Sequence, residues 1–401
     1  MAPILAISEF ATPAGKPAGI GRLLTWRLLP YWMARLGAIL GQLSGRPLRL
    51  GDTVIALRHA DVAEALARDL DFCLQPVNAP KFDQIGYHFI LGMDRSAELI
   101  RERRVLYQAL SQVDAAKLQA DAAADIATVL ARAGGGPIDI VEEYARPIAA
   151  NTARRLFGIA PDNKAAFVDA ARAIFGNSFL NVSGDLAMTE RALAAANQLS
   201  DWFEAEIARR HASDAFGTDM MGALLGAGVD DDLVRRTLGG MLVGAIDTTA
   251  TCVAKVLTVL LGDPALARQA SADRHDLTLM WGWCNEALRR WAHGPVLLRR
   301  AANDTELAGT PVKAGDAVLL WTQAAMFDER AFPRAGALLP NRVGAAYFHL
   351  GGGLHPCAGR GVNAWQIPLL VAGLLDRAPH RLGPMRWAGP FPAHLPLYFR
   401  R

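Results

Sequence analysis

The sequence predicts a mainly α-helical chain with small β-sheets, and three observations predict it. Residues 114–210 form a succession of alanine-rich amphipathic segments, broken at Gly134-Gly135-Gly136-Pro137 and near Pro161, with apolar residues at helical spacing. Residues 232–261 are the longest apolar helical stretch and stop at Gly262-Asp263-Pro264. Short β-rich runs divided by turn residues occur at 47–57 and 295–321, where a strand or small hairpin and a small sheet are expected.

Composition sets the outer limits. The chain has 401 residues, 52% hydrophobic and 20% charged, enough to bury a large core and too apolar for a disordered protein. A net charge of +3, with no dense Lys/Arg tract among aromatics, argues against a nucleic-acid partner. Cys73, Cys252, Cys284 and Cys357 lie far apart, which suits neither a disulfide framework nor a zinc ribbon and fits a reducing, cytoplasmic setting.

Taken in order, residues 1–16 lack a convincing secretory signal. Residues 21–41 are apolar but interrupted by Arg22, Arg27, Pro30 and Arg35, so they do not read as a membrane-spanning helix. They either pack on the protein's own core or touch a membrane surface weakly, with Trp26, Tyr31 and Trp32 at the interface. A helix is expected over 60–68. Residues 71–92, with Pro76, Pro80, Gly86 and scattered aromatics, read as a long pocket-lining loop. Ser96 is placed to cap a helix over 97–110 that carries Arg101, Arg103 and Arg104. No phosphate-binding, serine-hydrolase or zinc-protease signature is present.

Three stretches carry chemistry. Leu350-Gly351-Gly352-Gly353-Leu354-His355-Pro356-Cys357-Ala358-Gly359 opens an apolar helical segment. A thiol at a helix start is drawn towards thiolate, the form that ligates a soft metal, and glycines let a large flat ligand approach. On its own the run fits a flexible turn equally well. Within 232–261, Gly240, Gly244 and Thr248 recur every four residues, which would place a shallow trough backed by a hydroxyl on one helix face. Asp247 beside Thr248 adds an acid to that apolar surface, where a buried carboxylate needs partners. Length alone would let 238–261 cross a bilayer, but Asp247 and Lys255 favour a buried core helix. Glu286 and Arg289 form an E-x-x-R pair, a spacing that also occurs at Glu98/Arg101, Glu143/Arg146 and Glu206/Arg209. Only Glu286/Arg289 lies between the other two stretches, among Trp281, Trp283, Leu288 and Trp291.

Together these stretches resemble the cytochrome P450 family of soluble, bacterial-type haem-thiolate monooxygenases. Gly353, His355, Cys357 and Gly359 match the cysteine loop, while Leu350 replaces its phenylalanine and Pro356 stiffens the approach to the cysteine. Gly244-Ala245-Ile246-Asp247-Thr248-Thr249 matches the oxygen-activating motif, with Ala245 for the second glycine. Arg103 and Arg299 align with the propionate-binding arginines, and Leu99 stands where a histidine is often found.

The resemblance implies a triangular, α-rich single domain over 1–401 that binds haem b (iron-protoporphyrin IX). Cys357 would be the iron ligand, and Arg103, Gly244, Arg299, Leu350, Gly351, His355 and Gly359 would hold the ring. Asp247 and Thr248 would relay protons, and Glu286, Arg289 and Arg342 would form a structural network. It further implies a hydrophobic substrate, a ferredoxin and ferredoxin reductase as electron donors docking near Arg103, Arg104 and Arg360, and a monomer. Residues 167–203 would supply the substrate lid. The alternatives are a peroxide-using or rearranging haem-thiolate enzyme and a non-enzymatic haem-binding protein.

Overall fold

The computed structural model describes residues 20–181, 184–213, 215–344 and 346–400. Residues 1–16 and Val182, in the expected lid, lie outside the described residues.

Helices begin where a side chain can hold their first N–H groups. Ser96 accepts from Leu99 N, Asp114 from Lys117 N, Asn163 from Ala166 N and Asp230 from Leu233 N. In chain order the helices are α1 (Ile20–Ser44), α2 (His59–Ala67), α3 (Gln75–Asp83), α4 (Ala97–Gln112), α5 (Ala115–Ala133), α6 (Arg146–Phe157), α7 (Lys164–Phe179) and α8 (Leu186–Ser213). There follow α9 (Met220–Gly226), α10 (Asp231–Val243), α11 (Asp247–Leu261), α12 (Pro264–Asp273), α13 (Leu277–Arg290), α14 (Thr322–Ala325) and α15 (Arg360–Leu375). The segment expected to be loop at 71–92 contains α3 instead. Pro76 falls in its first turn, where the missing N–H costs nothing, and Pro80 is tolerated because the helix is short.

The first strands are β1 (Leu48–Leu50), β2 (Thr53–Ala56), β3 (Phe72–Cys73), β4 (Ile138–Asp139), β5 (Leu297–Ala301), β6 (Thr305–Leu307), β7 (Thr310–Val312) and β8 (Ala317–Leu320). The expected hairpin and the expected small sheet are one five-stranded sheet, ordered β1-β2-β8-β5-β3, with β2 and β8 parallel from Thr53 opposite Ala317. Smaller two- and three-stranded sheets complete a mainly α architecture.

The expected long helix over 232–261 is two helices, with Gly244-Ala245-Ile246 between them. The stretch is long and apolar enough to cross a membrane, but 78% of its apolar window is buried inside the protein. The break has a physical cause. The Thr248 and Thr249 hydroxyls donate to the carbonyls of Gly244 and Ala245, and glycine at 244 offers no side chain to hold the helix together. The buried cluster around Phe89, Leu106 and Leu199 packs on α10, the cluster around Val253, Trp283 and Leu370 packs on α11, and a third covers the five-stranded sheet. The break therefore stands where two cores meet.

Candidate active site

The loop before α15 folds back on itself. Gly351–Gly352 pairs antiparallel with His355–Pro356, and Cys357 N donates to Leu350 O at 2.8 Å. Gly353 has φ +62°, and a Cβ there would sit 1.9 Å from Leu66 O, so only glycine lets α2 press against the hairpin. Cys357 emerges half-buried, with Gly359 N–H and Arg360 close to its sulfur. Burial pushes the thiol up, and those two neighbours only partly offset it. This differs from the expected drift towards thiolate, because desolvation outweighs one helix end in an apolar surround. A bound metal cation reverses that balance.

Cys357 faces a cavity of about 290 Å³. Its walls are mostly apolar, with Phe82, Phe89 and Leu91 on one side and Gly244, Ala245, Thr248 and Cys252 on another. A Cβ on Gly244 would meet nothing within 4 Å, so that glycine leaves open space. Gly240 lines the cavity as well, but it seats a side chain rather than leaving open space: a Cβ there would strike the Phe89 ring at 2.3 Å. Leu350 lines the cavity, whereas Phe348, two residues earlier, is buried in the third core and stacked on His59 at 4.5 Å. Phe348 thus does not stand in for the phenylalanine that Leu350 replaces.

Asp247 does not share the cavity wall with Thr248. Successive helical residues point about 100° apart. Thr248 lines the cavity, while Asp247 turns towards α6, where Arg146 Nε and Nη2 lie 2.9 Å and 2.8 Å from its Oδ1. Both side chains are almost fully buried. Arg146 also pairs with Glu142 in a π-helical turn, Ile140–Ala145, and Arg172 reaches Glu142 at 3.5 Å. Burial alone would lower the Arg146 guanidinium, but Asp247 and Glu142 raise it above its ordinary value. Asp247 Oδ2 is buried without a hydrogen-bond partner among the described residues.

At the edge of the cavity two arginines and a histidine gather, with Asp69 and Asp94 nearby but outside ion-pair distance. Arg103, on α4, lines it and donates to Leu354 O. Arg299, on β5, is 7% exposed, and its one hydrogen bond among the described residues is to Leu298 O at 2.8 Å. Burial pushes it down to about 10, so it stays charged at neutral pH. His355 has a buried Nε2 with no partner among the described residues, and burial beside Arg299 and Arg103 brings it down to about 4. Neither arginine forms an ion pair among the described residues, so the cluster fits a ligand with acidic arms. A thiol, open glycine surface and two arginines outside any ion pair among the described residues together fit haem.

Behind the loop, Glu286 and Arg289 on α13 are completely buried and bonded at 2.9 Å and 3.1 Å. Burial would raise the Glu286 carboxyl, but Arg289, Arg342 and the Leu339 N–H hold it below the usual range. Arg342 reaches Glu286 at 3.1 Å, Tyr347 Oη donates at 2.8 Å, and Arg289 donates to the carbonyls of Met326 and Ala337. This knot fixes the coil that delivers the cysteine loop.

Other cavity residues carried no signal in the sequence. His293 borders the cavity, with Nδ1 2.9 Å from Thr251 Oγ1 and its ring stacked on Phe391. His349 lines it with both ring nitrogens unpartnered. Arg146 could have been found only through the rule that a buried Asp247 needs a cation.

The chain is similar to known proteins in sequence and in fold. The Cytochrome P450 family profile matches residues 190–377. Cytochrome P450 105C1 from a Streptomyces species is 30% identical over 251 residues, 61% of this chain and 62% of that protein. Nocardicin C N-oxygenase from Nocardia uniformis subsp. tsuyamanensis is 27% identical over 61% of this chain and 60% of its own length. The matches thus span about three fifths of these relatives. The crystal structure of CalO2 superposes with a TM-score of 0.78 over 93% of this chain and 96% of that one at 22% identity, a likeness of fold.

Proposed function

We propose that the chain is a haem-thiolate monooxygenase of the cytochrome P450 family, a reading supported by the family profile over 190–377 and by the similarity to cytochrome P450 105C1. It would insert one oxygen atom of O2 into a hydrophobic organic substrate, with electrons delivered by a separate ferredoxin-type donor. The observation that carries the reading is Cys357 facing the Gly244–Thr248 break across an apolar cavity, with Arg103 and Arg299 in no ion pair among the described residues at its edge and His355 beside them.

In this reading Cys357 ligates the iron of haem b. Arg103, Arg299 and His355 hold the propionates through charge-assisted bonds, and Gly244, Leu350, Gly351 and Gly359 leave room for the ring. The bound group supplies dioxygen activation, its thiolate ligand favouring O–O cleavage. The chain's own residues handle protons. Thr248 Oγ1 keeps a hydroxyl proton at the cavity wall, donated to Gly244 O at rest. Asp247 is the nearest acid in sequence, and Arg146 fixes its carboxyl at the start of α11 for a part in proton transfer. Phe82, Phe89 and Leu91 exclude water from the substrate's place.

Arg104 and Arg360 are exposed and suit an acidic electron donor, whereas Arg103 turns inward to Leu354 and does not belong to that docking surface. We take residues 1–401 as one domain, a reading supported by α10 and α11 lying in successive cores.

The test is the carbon-monoxide difference spectrum of the reduced protein. A strongly red-shifted Soret band that is lost in Cys357→Ser is expected. A band typical of neutral ligation in the wild type, or its persistence in Cys357→Ser, would sink the proposal.

A further inference from the structure

Helix α1 is built with its small residues inward. Ala34 and Ala38 are buried, a Cβ on Gly37 would lie 3.0 Å from Ala324 Cβ, and one on Gly41 would lie 2.7 Å from Leu57 Cβ. The helix therefore lies flush against α14 and the end of β2 through alanine and glycine. Its large apolar residues point the other way. Trp32, Met33, Leu36, Ile39, Leu40 and Leu43 fall within an arc of about 120° at 100° per residue. All are exposed, from 44% at Leu40 to 79% at Leu43. A continuous stripe of this kind on a stable helix marks a surface meant to be covered.

The charge around the stripe says by what. From Phe10 to Gly51 the sequence contains Lys16, Arg22, Arg27, Arg35, Arg46 and Arg49 and no aspartate or glutamate, although acids and bases nearly balance over the whole chain. A second copy of this chain would set like charges against each other. Arg49 is paired with Asp316 at 2.7 Å, but Arg35 and Arg46 form no ion pair among the described residues. An anionic surface with an apolar interior therefore complements both features: the stripe can enter the acyl boundary while Arg35 and Arg46 meet headgroup charge. Trp32 belongs at that boundary, its ring next to the Arg35 guanidinium at 5.9 Å. We propose that α1 docks the protein in the plane of an anionic lipid bilayer, lying on it rather than crossing it. This goes beyond the proposed reaction and does not depend on it.

The test is flotation of the full chain, carrying whatever cofactor it binds, with vesicles of phosphatidylglycerol and phosphatidylethanolamine or of phosphatidylcholine alone. The wild type should float with the anionic vesicles and partition at least tenfold more weakly onto phosphatidylcholine. Leu36→Glu/Ile39→Glu, outside the site and on the exposed face, should lose flotation at least tenfold while keeping the wild-type melting temperature and carbon-monoxide spectrum. Sedimentation velocity without lipid should give the same species for both proteins. The proposal is overturned if the wild type fails to float with anionic vesicles, if the double variant floats equally well, or if the wild type is a dimer that the double variant splits.

Discussion

Replacing Arg146 by leucine is the sharpest probe of how Asp247 is held. The side chains of Arg146 and Asp247 are 5% and 6% exposed, so the variant leaves a carboxylate with no cation in an enclosed place, and leaves Glu142 with Arg172 at 3.5 Å and His394 at 4.0 Å. Removing one partner of a buried pair costs about 3–5 kcal/mol. For a chain of this size, unfolding entropy near the melting point makes 1 kcal/mol worth roughly 1 °C. Differential scanning calorimetry of Arg146→Leu should therefore show a melting point lower by about 4–6 °C. Asp247→Asn should cost less, because its amide oxygen still accepts from Arg146, which keeps Glu142. Arg146→Leu/Asp247→Asn should melt above Arg146→Leu alone, since the second change removes the stranded charge. The two sites touch, so their effects should fail to add by roughly 0.5–3 kcal/mol. If Arg146→Leu melts within 1 °C of wild type, or the double variant equals the sum of the singles, the clamp contributes little and Asp247 finds its partner elsewhere.

Other perturbations separate the remaining roles. Thr248→Ala should retain the carbon-monoxide band while diverting most reducing equivalents to hydrogen peroxide; full coupling to product would show that another group moves the proton. Arg299→Leu should release haem to apomyoglobin about 10–100-fold faster, matching the loss of one charge-assisted hydrogen bond of about 1.5–3 kcal/mol, and an unchanged rate would remove Arg299 from the propionate site. Lys255 is enclosed, and burial pushes it down to about 8. Its unfolded value is about 10.4, so between those values the unfolded chain holds more protons and stability rises with pH. Urea midpoints should climb over that window in the wild type and stay level in Lys255→Met; parallel curves would mean that Lys255 keeps its charge on folding.

Features fixed by neighbouring residues were legible in the sequence. The cysteine hairpin is one contiguous run whose glycines announce their own turns, and Ser96 announces the start of α4. Position in the chain, rather than spacing, singled out Glu286/Arg289 and brought in Arg342. Features decided across the fold were not legible. Arg146 meets Asp247 from 101 residues away, and nothing local to either names the other. The break at 244–246 is invisible to a hydrophobic period that continues through it, and it depends on threonine hydroxyls competing for two carbonyls. Gly240 lines the cavity with Gly244 and Thr248, but nothing local told that Phe89, from a distant segment, takes the space beside it. The prolines at 76 and 80 suggested a loop, but burial of Ala79 and Phe82 favours a short helix despite them.

The knot around Glu286 has a consequence for motion. Its carboxylate is bonded from Arg289 in its own helix, from the Leu339 N–H and Arg342 in irregular coil, and from Tyr347 just before the cysteine loop. Opening the coil would strand that carboxylate and Arg289 with no water to receive them, so the segment cannot fray piecemeal as surface loops do. Irregular backbone here belongs to the same cooperative unit as α13, and the Leu339 amide should exchange its hydrogen as slowly as those in the middle of that helix. The hairpin bearing Cys357 therefore hangs from one of the least yielding parts of the molecule, although almost none of that rigidity is written in regular secondary structure.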